Sequence, residues 1–146
     1  MQHHLILKVI TKFLVGIILL FGLYVQFHGD YSPGGGFQAG VIVAAAFILY
    51  GIVMGLEKVQ DVLPFWIVQK MAALGVLVYA FTGVYSLLTG YNYLDYTALS
   101  PYDPEHGQHV GILIVELGVG ITVAGVIVCI YYCFASRTPH LDDEEW

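Results

Sequence analysis

Charge is what this sequence has least of. Only 11% of its 146 residues are Asp, Glu, Lys or Arg, whereas soluble domains average roughly 25%. Basic residues are the scarcer kind. Five Lys and Arg stand against 11 Asp and Glu for a net charge of −6; Asp142, Asp143, Glu144 and Glu145 supply four of those negatives, leaving −2 over the rest. With no basic face, an electrostatic nucleic-acid binder is excluded. Two cysteines are too few for a disulfide framework. Disorder is excluded by what is present instead, a hydrophobic share of 58%. That is more apolar surface than one water-soluble core can hide, so the chain reads as an integral membrane protein.

Four apolar runs are long enough to cross about 30 Å of hydrocarbon at 1.5 Å per residue: residues 5–27, 37–56, 68–88 and 110–135. The expected fold is therefore all-α with four transmembrane helices. Lys8 and Lys12 fall in the opening turns of the first run, where long side chains snorkel to the interface. No A-x-A-like site follows it, so the first span is expected to be retained. Lys8, Lys12, Lys58, Lys70 and Arg137 all fall on one side of this scheme, and the positive-inside rule then places both termini in the cytoplasm. Residues 1–137 are expected to form the membrane domain and residues 138–146 an acidic, mobile cytoplasmic tail. The outer loop, 91–109, is rich in tyrosine and interrupted by Pro101 and Pro104. It is expected to lie against the membrane surface or a neighbouring subunit. No internal repeat of the inverted-transporter kind is visible.

Seventeen glycines fall largely inside the spans, and small residues let helices approach closely in lipid. Gly111, Gly118 and Gly125 make one smooth stripe on the fourth span; Gly40 with Ala44, and Gly51 with Gly55, repeat small-xxx-small spacing in the second. These are expected to be packing faces, for this chain's own helices or for others.

Glu116 is the one carboxylate deep in a span, about 9 Å inward of Val110 at 1.5 Å per residue. A lone ionised carboxylate there is costly, so Glu116 must be paired, protonated or facing water. It shares a helix face with Gly120 and His109, with Gly118 nearly opposite. One reading is a neutral acid hydrogen-bonded to a helix partner; the other is a proton- or cation-exchanging site fed from outside. No further acid or base inside the spans completes a relay, so remaining steps belong to other chains.

The string Ser32-Pro33-Gly34-Gly35-Gly36-Phe37 is the other unusual feature. It is no phosphate loop, lacking Lys-Ser/Thr, and no dinucleotide fingerprint, since an apolar helix rather than a strand precedes it. It reads either as a tight outer turn or as an interrupted helix end facing a subunit contact or an ion route. His28 and Asp30 stand beside it. Glu105, His106 and His109 resemble a metal site only in spacing, with no further ligand in view; they read as loop residues, and a proton-delivery role above Glu116 is the alternative. Cys129 and Cys133 read as small packing residues, with acylation as the alternative. No metal, no cofactor and no catalytic constellation is expected, and hence no enzyme.

The stretch from Gly29 to Gly40, with Val115-Glu116-Leu117-Gly118-Val119-Gly120, resembles the MnhB subunit of the Mrp-type sodium/proton antiporter, a type also called Mnh or Pha. The likeness runs over residues 5–137, with the same number of spans. It departs from that family at Asp30, where several relatives carry His, and at Ala39, where they carry Gly. The resemblance implies a small subunit of a bacterial cytoplasmic-membrane assembly exchanging cytoplasmic Na+ for external H+, with the Mrp antiporter subunits of the A, C, D, E, F and G kinds as partners. The large A and D members of that assembly resemble the proton-pumping subunits of respiratory complex I. Pro33, Gly34, Gly35, Gly36, Phe37 and Glu116 match family positions.

The expected function is thus a non-autonomous antiporter subunit, with Glu116, His109, Asp30 and His28 as candidates for an ion or proton path. Pro33, the three glycines, Phe37, Gly118 and Gly120 are the candidates for an interface. The alternative is a stand-alone tetraspan exporter of cationic drugs, whose acid would be expected in the first helix. A four-helix disulfide-forming redox enzyme would need cysteines at another spacing and on the other side.

Overall fold

The computed structural model describes residues 2–29 and 33–137, with backbone alone for residues 2–4. Its elements are α1 (Gln2–Phe27), α2 (Gly36–Met54), α3 (Leu56–Val62), α4 (Phe65–Leu88), a 3-10 turn (Tyr96–Leu99) and α5 (Pro104–Ala135). Among the described residues there is no strand, and four of the helices are long and apolar enough to cross a membrane. The expected all-α architecture is the observed one.

The helices pack in the order α1, α2, α5, α4, so the last span lies between the second and third. Because α3 reverses the chain, α2 and α5 run parallel while α4 runs against both. Lipid offers no hydrophobic drive for helices to associate, so contact depends on close approach. The glycine stripe provides it on one face of α5. A Cβ at Gly118 would lie 2.9 Å from the Gly75 carbonyl oxygen, and one at Gly125 would lie 2.9 Å from the Ala72 nitrogen. Thr122 fastens the same seam, donating to the Gly118 carbonyl at 2.9 Å and reaching the Ala72 carbonyl at 3.4 Å.

At the α3 end, Gly55 takes φ +99° and divides what the sequence presents as a continuous run to residue 56 into α2 and α3. Val59, Val68, Ala44, Val128 and Tyr132 form the core beneath α3. Tyr132, 2% exposed, donates its hydroxyl to the Leu63 carbonyl at 2.9 Å and approaches that of Val59 at 3.4 Å. The last span is thereby tied to the C-cap of α3, whose Leu63 carbonyl lies past the helix.

The opposite end corrects one expectation, that Glu105, His106 and His109 lie in the loop. The tyrosine-rich loop packs in part on its own helices. The rings of Tyr93 and Tyr96 fill the places where Gly83 and Gly111 have no side chain, and Ser86 donates to the Asp95 carbonyl at 3.0 Å. Burial, with Tyr79 and Tyr93 close by, pushes the Tyr96 hydroxyl above the usual tyrosine range. Glu105, His106 and His109 are helical, not loop residues. Asp103 caps α5 by accepting from the His106 N–H at 3.2 Å, and Pro104 stands in the first turn, where its missing N–H is no loss.

The facing ends of α1 and α2 lie lower than the end of the α4–α5 hairpin. The α1–α2 turn meets α5 at Glu116 and Gly120. From there α5 continues to Pro104, roughly 18 Å at 1.5 Å per residue, and α4 continues past Gly75 to Leu88 by a similar rise. The described part of the turn, residues 28–29 and 33–35, is therefore a ledge below the end of the α4–α5 hairpin.

Candidate functional site

Glu116 reaches this ledge because the residues that face it, Gly29, Gly35 and Gly36, have no side chains to keep it away. A Cβ at Gly36 would run into the Glu116 backbone, its Cα lying 2.9 Å off. A Cβ at Gly29 would sit 3.0 Å from Oε2, and one at Gly35 would sit 2.9 Å from Oε1. Gly35 also holds φ +129°, a conformation that L side chains rarely adopt. The carboxylate thus rests on the start of α2. The first helical bond there runs from the Ala39 N–H to the Gly35 carbonyl at 3.1 Å. The N–H groups of Gly36, Phe37 and Gln38 consequently have no acceptor within the helix. The Glu116 side chain is half-buried there.

The two features that the sequence offers separately, the triple-glycine turn and the buried acid, are one site. The other candidates divide. Gly120 belongs to it, its absent Cβ leaving 3.1 Å to the Gly36 carbonyl oxygen. Gly118 does not; it faces Gly75, Val78 and Tyr79, so acid and stripe do point different ways. Pro33 is exposed at the entry of the turn, and Phe37 is 60% exposed on the outside of α2 rather than packed into the turn. His28 is half-buried, its ring stacked on Tyr24 with centroids 4.7 Å apart. His109 is exposed on α5, about two turns beyond Glu116 on the same face. Asp30 lies outside the described residues. Cys129 is half-buried and Cys133 exposed. Among the described residues, no three His, Cys, Asp or Glu come together in a way that could hold a metal ion.

Gln26 is the residue that sequence reasoning passed over. It is 8% exposed, and its Oε1 lies 2.6 Å from the Cβ position of Gly120, one turn below Glu116. The available signal was a lone carboxamide in an otherwise apolar run, which needs a partner in hydrocarbon as a charge does.

Residues 6–129 match the family model described as a domain related to the MnhB subunit of the Na+/H+ antiporter. The chain is 36% identical over 131 residues to the Staphylococcus haemolyticus (strain JCSC1435) protein named "Putative antiporter subunit mnhB2", covering 88% of this chain and 92% of that one. Proteins of the same name from Staphylococcus aureus strains Newman and JH1 match with the same identity and coverage. The chain belongs to the MnhB-related family of antiporter-subunit domains.

Proposed function

We propose that this chain is a non-autonomous subunit of a multisubunit antiporter exchanging Na+ for H+, and that Glu116 forms the outer step of its proton or cation path. The observation that carries the second part is the seating of the Glu116 carboxylate against Gly29 and Gly35 at the start of α2. A carboxylate seated against bare backbone at a helix end can exchange a proton or meet a cation without rearranging the fold. The higher end of the α4–α5 hairpin supports an approach to it from the loop end. His109 stands above it on the same face of α5, in position to deliver protons.

The subunit reading accounts for what the chain lacks. The basic residues in its spans, Lys8, Lys12 and Lys70, lie toward the α3 end, and Lys70 is spent over the Trp66 ring at 4.6 Å. Further steps of a transmembrane relay belong to partner subunits, of the kinds A, C, D, E, F and G. The basic residues at the α3 end support an orientation with both termini in the cytoplasm of a bacterial cell. The stand-alone exporter is not favoured, since α1 carries no acid.

The test is purification through a tag on this chain in gentle detergent, then reconstitution of what is recovered. A stoichiometric set of larger multi-span proteins with Na+/H+ exchange, abolished by Glu116→Gln with assembly intact, is the expected result. Recovery of this chain alone as a transporting monomer or dimer would overturn it.

A further inference from the structure

Lys70 stands in the second turn of α4, and its ammonium sits 4.6 Å from the centroid of the Trp66 ring, one turn nearer the α3 end. Both residues are exposed. The ring draws the charge but accepts no conventional hydrogen bond, so the ammonium keeps N–H donors for an oxygen. Among the described residues it has no carboxylate partner. A cation left in this state at the edge of hydrocarbon attracts an anion from outside the chain.

From Lys70 a groove of about 450 Å³ runs along α4, lined by Ile67, Met71, Leu74 and Leu77. Trp66, Lys70, Leu74 and Leu77 follow one another at helical spacing, so the charge and the apolar strip share one face. Lys70 and Leu77 lie nearly opposite the line of Val68, Ala72 and Gly75 that meets α5. Trp66 to Leu77 covers about 16 Å at 1.5 Å per residue, close to half of a hydrocarbon layer about 30 Å thick. The tryptophan marks the headgroup level, and the strip runs inward from it across one leaflet.

Three occupants can be weighed. A transmembrane helix seats on small residues, as α5 does at Gly75 on the other face of α4; this strip is made of large side chains with a single alanine among them. A zwitterionic lipid fills the strip but brings its own ammonium toward the lysine. An anionic phospholipid meets the charge and the strip together. We infer that this face of α4 binds an anionic phospholipid of the leaflet at the α3 end. Its phosphate oxygens accept hydrogen bonds from the Lys70 ammonium, and one acyl chain lies along Met71, Leu74 and Leu77.

The experiment uses the complex purified through a tag on this chain and returned to phosphatidylethanolamine vesicles with a trace of photoactivatable lipid. Phosphatidylglycerol and phosphatidylcholine probes, each with the same diazirine-bearing acyl chain, are compared, and adducts on residues 66–77 are measured by mass spectrometry. The phosphatidylglycerol probe is expected to label this stretch about fivefold more, the preference that one lysine supplies at an anionic headgroup. Lys70→Gln is expected to abolish that preference while labelling elsewhere on the chain is unchanged, and Lys70→Arg is expected to keep it. Equal labelling by the two probes, or a preference that survives Lys70→Gln, overturns the inference. So do adducts on other outward faces with none on residues 66–77, which would show that protein covers the strip. Should Lys70→Gln fail to accumulate, the wild-type comparison decides by itself. Recovery of this chain without larger subunits would remove the subunit reading, and the two probes would then be compared on the chain alone.

Discussion

The two faces of α5 are made from the same small residue and do different work. Toward α4 and the 3-10 turn, Gly111, Gly118 and Gly125 let backbone and aromatic rings approach, and the polar groups there are satisfied locally. Toward α2, Gly120 serves the same close approach, but Glu116 and Gln26 sit beside it, the acid against the glycines at the start of α2. The first face is a seam. The second places titratable and hydrogen-bonding groups where stability alone would place none.

Substitutions can break that contrast. The largest effect is expected from Glu116→Gln, which keeps shape and removes charge exchange: Na+/H+ exchange in reconstituted vesicles should fall to background while the subunit set co-purifies unchanged. Gly35→Ala comes next. Its Cβ would meet Oε1 at 2.9 Å from a φ of +129°, so displacement of the carboxylate should slow exchange by roughly tenfold or more. Exchange per assembled complex should fall further than thermal stability does.

Gly118→Ala strikes the seam instead. The added Cβ meets backbone at 2.9 Å, and overpacking of this kind costs about 1–3 kcal/mol. Melting of the purified complex should shift downward while exchange per assembled complex is retained. Tyr132→Phe, far from the ledge, removes the bond to the Leu63 carbonyl at 2.9 Å; a loss of about 1 kcal/mol with normal exchange is expected. If Gly118→Ala abolished exchange in complexes that still assemble, the division between the faces would fail.

Much of this was legible in the sequence because lipid imposes simple rules. Four apolar runs give four helices, and a seven-residue glycine repeat gives one packing face. Helix boundaries were less legible. Gly55 breaks α2 from α3 through a backbone angle that composition does not reveal, and Asp103 starts α5 early through a cap whose side chain had to be seen accepting from His106. The packing of the loop was not legible because two of its tyrosines fill gaps, at Gly83 and Gly111, on distant parts of the chain. Glu116 and the glycine turn were each recognisable, but their union depended on α2 and α5 lying side by side, which no local pattern encodes. Gln26 was overlooked because an amide carries no formal charge, although in hydrocarbon an unpaired donor is a comparable signal.

The most direct test of the central claim compares Na+/H+ exchange by wild-type and Glu116→Gln complexes at matched subunit content in the same vesicles. Exchange at background for Glu116→Gln, with every subunit present, is the predicted result. Exchange at the wild-type rate would show that the carboxylate only anchors a helix, and would contradict its role as the outer step of the path.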